Sequence, residues 1–102
     1  MNPLIEKHRS SIVELCRHYG VRRLDLFGSA TGPAFDTNAS DVDFMVEFTD
    51  QRPEGAADRY FGLNEALQKV LDRPVDLVMR GAVRNPYFQR AAERQQVNLY
   101  AA

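Results

Sequence analysis

Three aspartates and one Gly-Ser pair are the residues of this 102-residue chain whose types and spacing could do chemistry. Asp41 and Asp43 open a stretch in which Val42, Phe44, Val46 and Phe48 alternate with Asp41, Asp43, Met45 and Glu47. That is the period-two pattern of a half-buried strand, and it puts both carboxylates on one face, about 6.6 Å apart along the strand. The Val/Phe face must be buried. Adjacent carboxylates repel unless a cation or a shared proton relieves them. Hard oxygen ligands of this kind suit Mg²⁺, which takes one or two protein carboxylates and fills its octahedron with water and phosphate oxygen. A third aspartate, Asp76, interrupts the apolar run Val75-Asp76-Leu77-Val78-Met79. If Val75, Leu77 and Met79 face the core, Asp76 faces the same way as Asp41 and Asp43. Two neighbouring strands would then gather three carboxylates around one or two Mg²⁺ ions, the arrangement that serves in-line nucleotidyl transfer. Asp76 is the natural one to bind the attacking hydroxyl and help take its proton.

Gly28-Ser29 follows the apolar residues Leu24, Leu26 and Phe27. Glycine allows the backbone to approach a phosphate, and exposed N–H groups with a serine hydroxyl can cradle one. Each of these features has an ordinary structural reading when taken alone. Gly-Ser after a strand makes a turn, and Asp-x-Asp on a strand can be a solvated face. Their order along the chain, strand, Gly-Ser, loop, Asp-x-Asp, helix, strand with Asp, favours chemistry.

The elements that must position these residues follow from periodicity. Leu4, His8, Ile12, Leu15, Cys16 and Tyr19 recur at helical spacing over 3–19, with Asn2 as N-cap, Pro3 as first helical residue and Gly20 as stop. A strand is expected at 22–27, with Leu24 and Leu26 on one face and Asp25 and Phe27 on the other. Residues 28–40 read as a loop. A helix is expected over 58–71, with Phe61, Leu63, Leu67, Val70 and Leu71 inward, then the short strand 75–79. Asn85-Pro86 opens a last helix to about Gln95. Alternating helices and strands predict an α/β (α+β) domain over 1–102, with helices on a small sheet whose pairing, parallel or mixed, the pattern leaves open.

Composition bounds the class. Hydrophobic residues make up 44% and charged residues 26%, as in an ordinary globular domain, and no apolar run approaches the ~20 residues that span a bilayer. The N-terminus lacks a signal-peptide layout, and the single cysteine, Cys16, cannot form an internal disulfide. Both point to the cytoplasm. The net charge of −1 hides an acidic middle between two basic ends, with basic residues too dispersed for direct DNA or RNA binding. His8 and His18 have no zinc-type spacing, and Cys16 reads as core. Arg80, Arg84, Arg90 and Arg94 form a spaced basic series that could meet phosphate or an acidic partner, with solvated helix surface the favoured reading.

The stretch Leu26-Phe27-Gly28-Ser29 … Ser40-Asp41-Val42-Asp43-Phe44-Met45-Val46-Glu47-Phe48, with Val75-Asp76-Leu77-Val78 downstream, resembles the DNA polymerase β-type nucleotidyltransferase superfamily. More narrowly it is similar to the minimal nucleotidyltransferases (MNT) that act as antitoxins to HEPN-domain toxins. The resemblance implies a small mixed sheet with helices packed on it. It implies that Gly28 and Ser29 bind the triphosphate and that Asp41, Asp43 and Asp76 bind Mg²⁺. The implied reaction is transfer of AMP from ATP to a hydroxyl, a tyrosine of the partner HEPN toxin, in a homo- or hetero-oligomer. Relatives commonly carry arginines just after Gly-Ser, where this chain has Ala30-Thr31-Gly32. A different class stays open beside the enzyme: a non-catalytic antitoxin that neutralises its toxin by binding and occlusion. A small-molecule nucleotidyltransferase ranks last, since little chain is left to hold such an acceptor.

Overall fold

The structure, a computed structural model, describes residues 3–28, 41–82 and 96–102. Helix α1 (Pro3–His18) leads into strand β1 (Val21–Phe27); strand β2 (Val42–Phe48), helix α2 (Ala56–Leu71) and strand β3 (Val75–Met79) follow. A single 3₁₀ turn (Arg80–Ala82) ends β3, and strand β4 (Val97–Ala101) closes the described chain. The sheet order is β3-β2-β1-β4. β2 pairs parallel with β3, while β1 runs antiparallel to both β2 and β4, so the sheet is mixed. The parallel step requires a crossover, which α2 supplies.

Both helices pack on one face of the sheet. Ile5, Ile12 and Cys16 of α1 and Leu63, Leu67 and Leu71 of α2 bury against Leu24, Leu26, Val42, Phe44 and Val46. Burial pushes the Cys16 thiol up to about 12, so it stays protonated and serves as a small apolar core residue. Gly62 has no side chain because Tyr19 occupies its place: a Cβ there would lie 2.6 Å from the tyrosine ring. The inward stripe of α2 is Tyr60, Leu63, Leu67, Leu71, at three- and four-residue spacing. Phe61, expected inward, is 63% exposed, because two residues on a helix lie about 200° apart from Leu63. Met79, also expected in the core, is 41% exposed at the end of the edge strand, while Leu77 is buried.

β3 is tied to α2 as well as to β2. The Tyr60 hydroxyl donates to the Leu77 carbonyl at 2.5 Å, and Asn64 Nδ2 donates to the Val75 carbonyl at 3.4 Å. Tyr60→Phe removes the first of these at nearly constant volume. The expected cost is about 1 kcal/mol in chemical denaturation.

β4 was not foreseen by the element reading, which ended on a helix over 85–95. That helix, and the Asn2 cap, lie outside the described residues. Among the described residues no helix is long and apolar enough to cross a membrane.

Candidate active site

The carboxylates gather on the sheet face opposite the helices. Asp43 is the second residue of β2, and its register partner on β3 is Asp76. Adjacent strands lie about 4.8 Å apart, so the parallel ladder sets two carboxylates side by side on one face. The backbone fixes this register at its start, where the Val42 amide donates to the Pro74 carbonyl at 3.2 Å. Asp41 lies just ahead of β2 and, like Asp76, is exposed; Asp43 is half-buried. On its other side β2 pairs Asp43 with Phe27 of β1, which brings Gly28 alongside.

Gly28 takes φ +75°, and a Cβ built there would lie 2.8 Å from Asp43 Oδ2. The Asp43 carboxylate therefore rests against the Gly28 backbone, an approach that only glycine permits. Behind the carboxylates, Phe27, Met45 and Val78 form a small apolar cluster on the same face. Burial, then the neighbouring charges of Asp76 and Asp41, push the Asp43 carboxyl above the usual aspartate range.

These three causes describe a site short of positive charge. Two facing carboxylates match the number of protein ligands that Mg²⁺ takes when phosphate and water complete its shell. Among the described residues no three His, Cys, Asp or Glu side chains already form a metal cage. The Asp43–Asp76 register pair and exposed Asp41 next to it are the residues that could hold a cation.

The raised Asp43 pKa has a thermodynamic sign. The folded chain holds that proton to higher pH than the unfolded chain. Its contribution to stability is complete below the ordinary aspartate pKa and is lost as pH rises through the raised value. At neutral pH the ionised group is a cost that a cation removes. Mg²⁺ is therefore expected to raise the melting temperature at pH 7 and to do so less at pH 5; Asp43→Asn should remove most of the response. Thermal melts with and without EDTA check this.

Ser29 and Ala30-Thr31-Gly32 lie outside the described residues. His8 and His18 sit on α1, on the far side of the sheet from the aspartates. A cavity of about 330 Å³, bordered by Phe48, Arg52, Arg59, Met79 and Gly81, opens at the other end of the sheet and shares no residue with the carboxylate site.

Two further residues meet on the carboxylate face: Asp25, to which the sequence reading assigns no role, and Arg80. Asp25 is fully buried and Arg80, read as solvated surface, hydrogen-bonds to it through Nη2. Asn98 Nδ2 donates to Asp25 Oδ1 at 3.0 Å, and Arg23 Nε lies 2.8 Å from Asp25 Oδ2 as an ion pair. The available signal was an aspartate flanked by leucines in a strand, Leu24-Asp25-Leu26, which needs a cationic partner once buried.

Among the described residues, two helices on one face of a four-stranded mixed sheet, with facing strand carboxylates on the other face beside a glycine turn, form a scaffold suited to nucleotide transfer. The chain belongs to the nucleotidyltransferase domain family, whose model matches residues 8–97. It is 34% identical over 95 residues to a protein of Methanocaldococcus jannaschii designated a candidate protein adenylyltransferase, covering 92% of this chain and 89% of that one. A solved structure described as a candidate minimal nucleotidyltransferase superposes with TM-score 0.73 at 26% identity, covering 91% of this chain and 90% of that one. A complex of a tri-AMPylated HEPN toxin with its MNT antitoxin from Shewanella oneidensis shares the fold, with TM-score 0.67 at 21% identity, covering 95% of this chain and 72% of that one.

Proposed function

We propose that this nucleotidyltransferase is the antitoxin of a HEPN/MNT pair and transfers AMP from ATP to a tyrosine hydroxyl of its HEPN toxin. The observation that carries the reading is Asp43, paired in register with Asp76 and resting against Gly28. The family relatives and the AMPylated toxin complex support the choice of donor and acceptor.

Asp41, Asp43 and Asp76 would hold Mg²⁺, which neutralises the triphosphate and lowers the pKa of the attacking hydroxyl. Gly28 and Ser29 bind the triphosphate through backbone N–H groups and the serine hydroxyl. Asp76, exposed at the edge strand, faces the acceptor and takes the hydroxyl proton. The hydroxyl oxygen attacks the α-phosphorus, the bond from that phosphorus to the bridging oxygen breaks, and pyrophosphate leaves. Asp43 lies between Gly28 and Asp76 in the sheet register, next to both the triphosphate-binding turn and the proton acceptor. The work takes place in the cytoplasm, in a hetero-oligomer with the toxin, without direct contact to nucleic acid.

The test incubates the protein with its neighbouring-gene HEPN product, Mg²⁺ and ATP labelled at the α-phosphate. Label on the toxin, lost with EDTA and on tyrosine-to-phenylalanine replacement in the toxin, is expected. A stable complex that takes up no label contradicts the transfer and leaves neutralisation by occlusion.

A further inference from the structure

Asp25 has no part in the chemistry above, yet it is a fully buried carboxylate on the catalytic face of the sheet. Burying an ion costs several kcal/mol before its partners repay it, and such pairs are weak devices for stability alone. The partners here come from three places: Arg23 within β1, Asn98 from β4, and Arg80 from the residue that follows β3. In the sheet β2 lies between β1 and β3, so the Arg80 side chain must cross β2 to reach Asp25. β2 is the strand of Asp43, and β3 is the strand of Asp76.

Among the described residues β3 is an edge strand, five residues long and held to the sheet by its parallel ladder with β2. Its first residues are fixed by Pro74–Val42 and by Asn64 on α2. Beyond Met79, the Arg80–Asp25 pair anchors the other end to a strand on the far side of Asp43. Gly28, against which Asp43 rests, lies three residues beyond Asp25 at the end of β1.

We propose that Asp25 and Arg80 are positioning residues: their bond latches β3 across β2 and so holds Asp76 in register with Asp43, setting the geometry with which the pair receives a divalent cation. This rests on reading Asp41, Asp43 and Asp76 as the metal site. Two substitutions separate the latch from a merely structural role. Arg80→Met cuts the tie to β3 and leaves Asp25 with Arg23 and Asn98. Asn98→Ala removes a neutral hydrogen bond from the same carboxylate without touching β3.

The experiment titrates each full-length variant with Mn²⁺, followed by its paramagnetic resonance, and measures amide hydrogen exchange over Val75–Met79 without metal. Arg80→Met is expected to weaken Mn²⁺ binding about tenfold, as loss of outer partners of metal ligands commonly does, and to speed exchange in β3. Asn98→Ala should leave both near wild type even where its melting temperature falls equally. Arg80→Lys, which keeps a cation within reach of Asp25, should recover most of the affinity. Equal effects of Arg80→Met and Asn98→Ala, or unchanged binding and exchange in Arg80→Met, overturn the latch. Absence of Mn²⁺ binding by the wild-type chain would instead overturn the metal site on which the latch rests, while slow β3 exchange that accelerates only in Arg80→Met would still show the tie itself.

Discussion

Asp43→Asn is expected to lower AMP transfer to the toxin by about 10³-fold or more, equivalent to about 4 kcal/mol of transition-state stabilisation. The amide keeps the shape of the side chain and removes the charge that attracts Mg²⁺. Fold and toxin binding should survive, because the carboxylate contributes no described core contact and sits on the face opposite the helices. The metal-free variant should even melt slightly higher than wild type at neutral pH. Burial and the charges of Asp76 and Asp41 disfavour the ionised Asp43 carboxylate, and the substitution relieves that cost. Steady-state transfer rates, a binding assay with the toxin and a melt in EDTA measure the three effects. Lost activity together with a lower metal-free melting temperature would mean that Asp43 is structural.

The second large effect is expected at Gly28→Ala. The left-handed φ of +75° costs an alanine about 1–2 kcal/mol. The larger consequence is local. The new Cβ would stand 2.8 Å from Asp43 Oδ2, so the carboxylate must turn away from its place beside Asp76. An aspartate end can turn at little cost to the fold, but a displacement of about 1 Å in a catalytic group can cost about 10²-fold in rate. Transfer is therefore expected to fall about 100-fold in kcat, with stability reduced only by the backbone strain. Paired kinetics and denaturation curves show whether the losses separate in this way. Wild-type kcat in Gly28→Ala would contradict a role for the close packing of glycine on the Asp43 carboxylate.

Much of the fold was legible because its signals are periodic. The alternation over Asp41–Phe48 marked β2, and the same alternation put the aspartates on the face away from the core. Helix α1 was framed by Pro3 and Gly20, and the run Val75–Met79 matched β3 to the residue. What a single strand pattern cannot contain is a partner. The expectation that Asp76 would join Asp43 needed the parallel β2–β3 register, which α2 and the Pro74–Val42 hydrogen bond impose. Parallel pairing of β2 with β3 and antiparallel pairing with β1 are likewise tertiary facts.

The errors have physical causes. Phe61 was placed inward on hydrophobicity, whereas the stripe through Leu63, Leu67 and Leu71 turns it outward. Met79 belongs by parity to the core face of β3 but sits where the edge strand runs out. Val97–Ala101 is too short and too mixed to stand out, and pairing with β1 makes it a strand. Arg80 looked like solvated surface because its partner is 55 residues away. The candidate metal site was the more legible part, since carboxylates on one strand face announce a need for a cation. The Asp25 network was the less legible part, since its members Arg23, Asp25, Arg80 and Asn98 come from three separate segments.

The measurement that tests the account most directly is the intact mass of the HEPN partner after co-expression with the wild-type chain or with Asp43→Asn. The account predicts a partner heavier by one or more AMP units with the wild type, mapped to tyrosine, and an unmodified partner with Asp43→Asn, although both chains bind it. A partner of unmodified mass that the wild-type chain still neutralises would contradict the account and identify the protein as an occluding antitoxin.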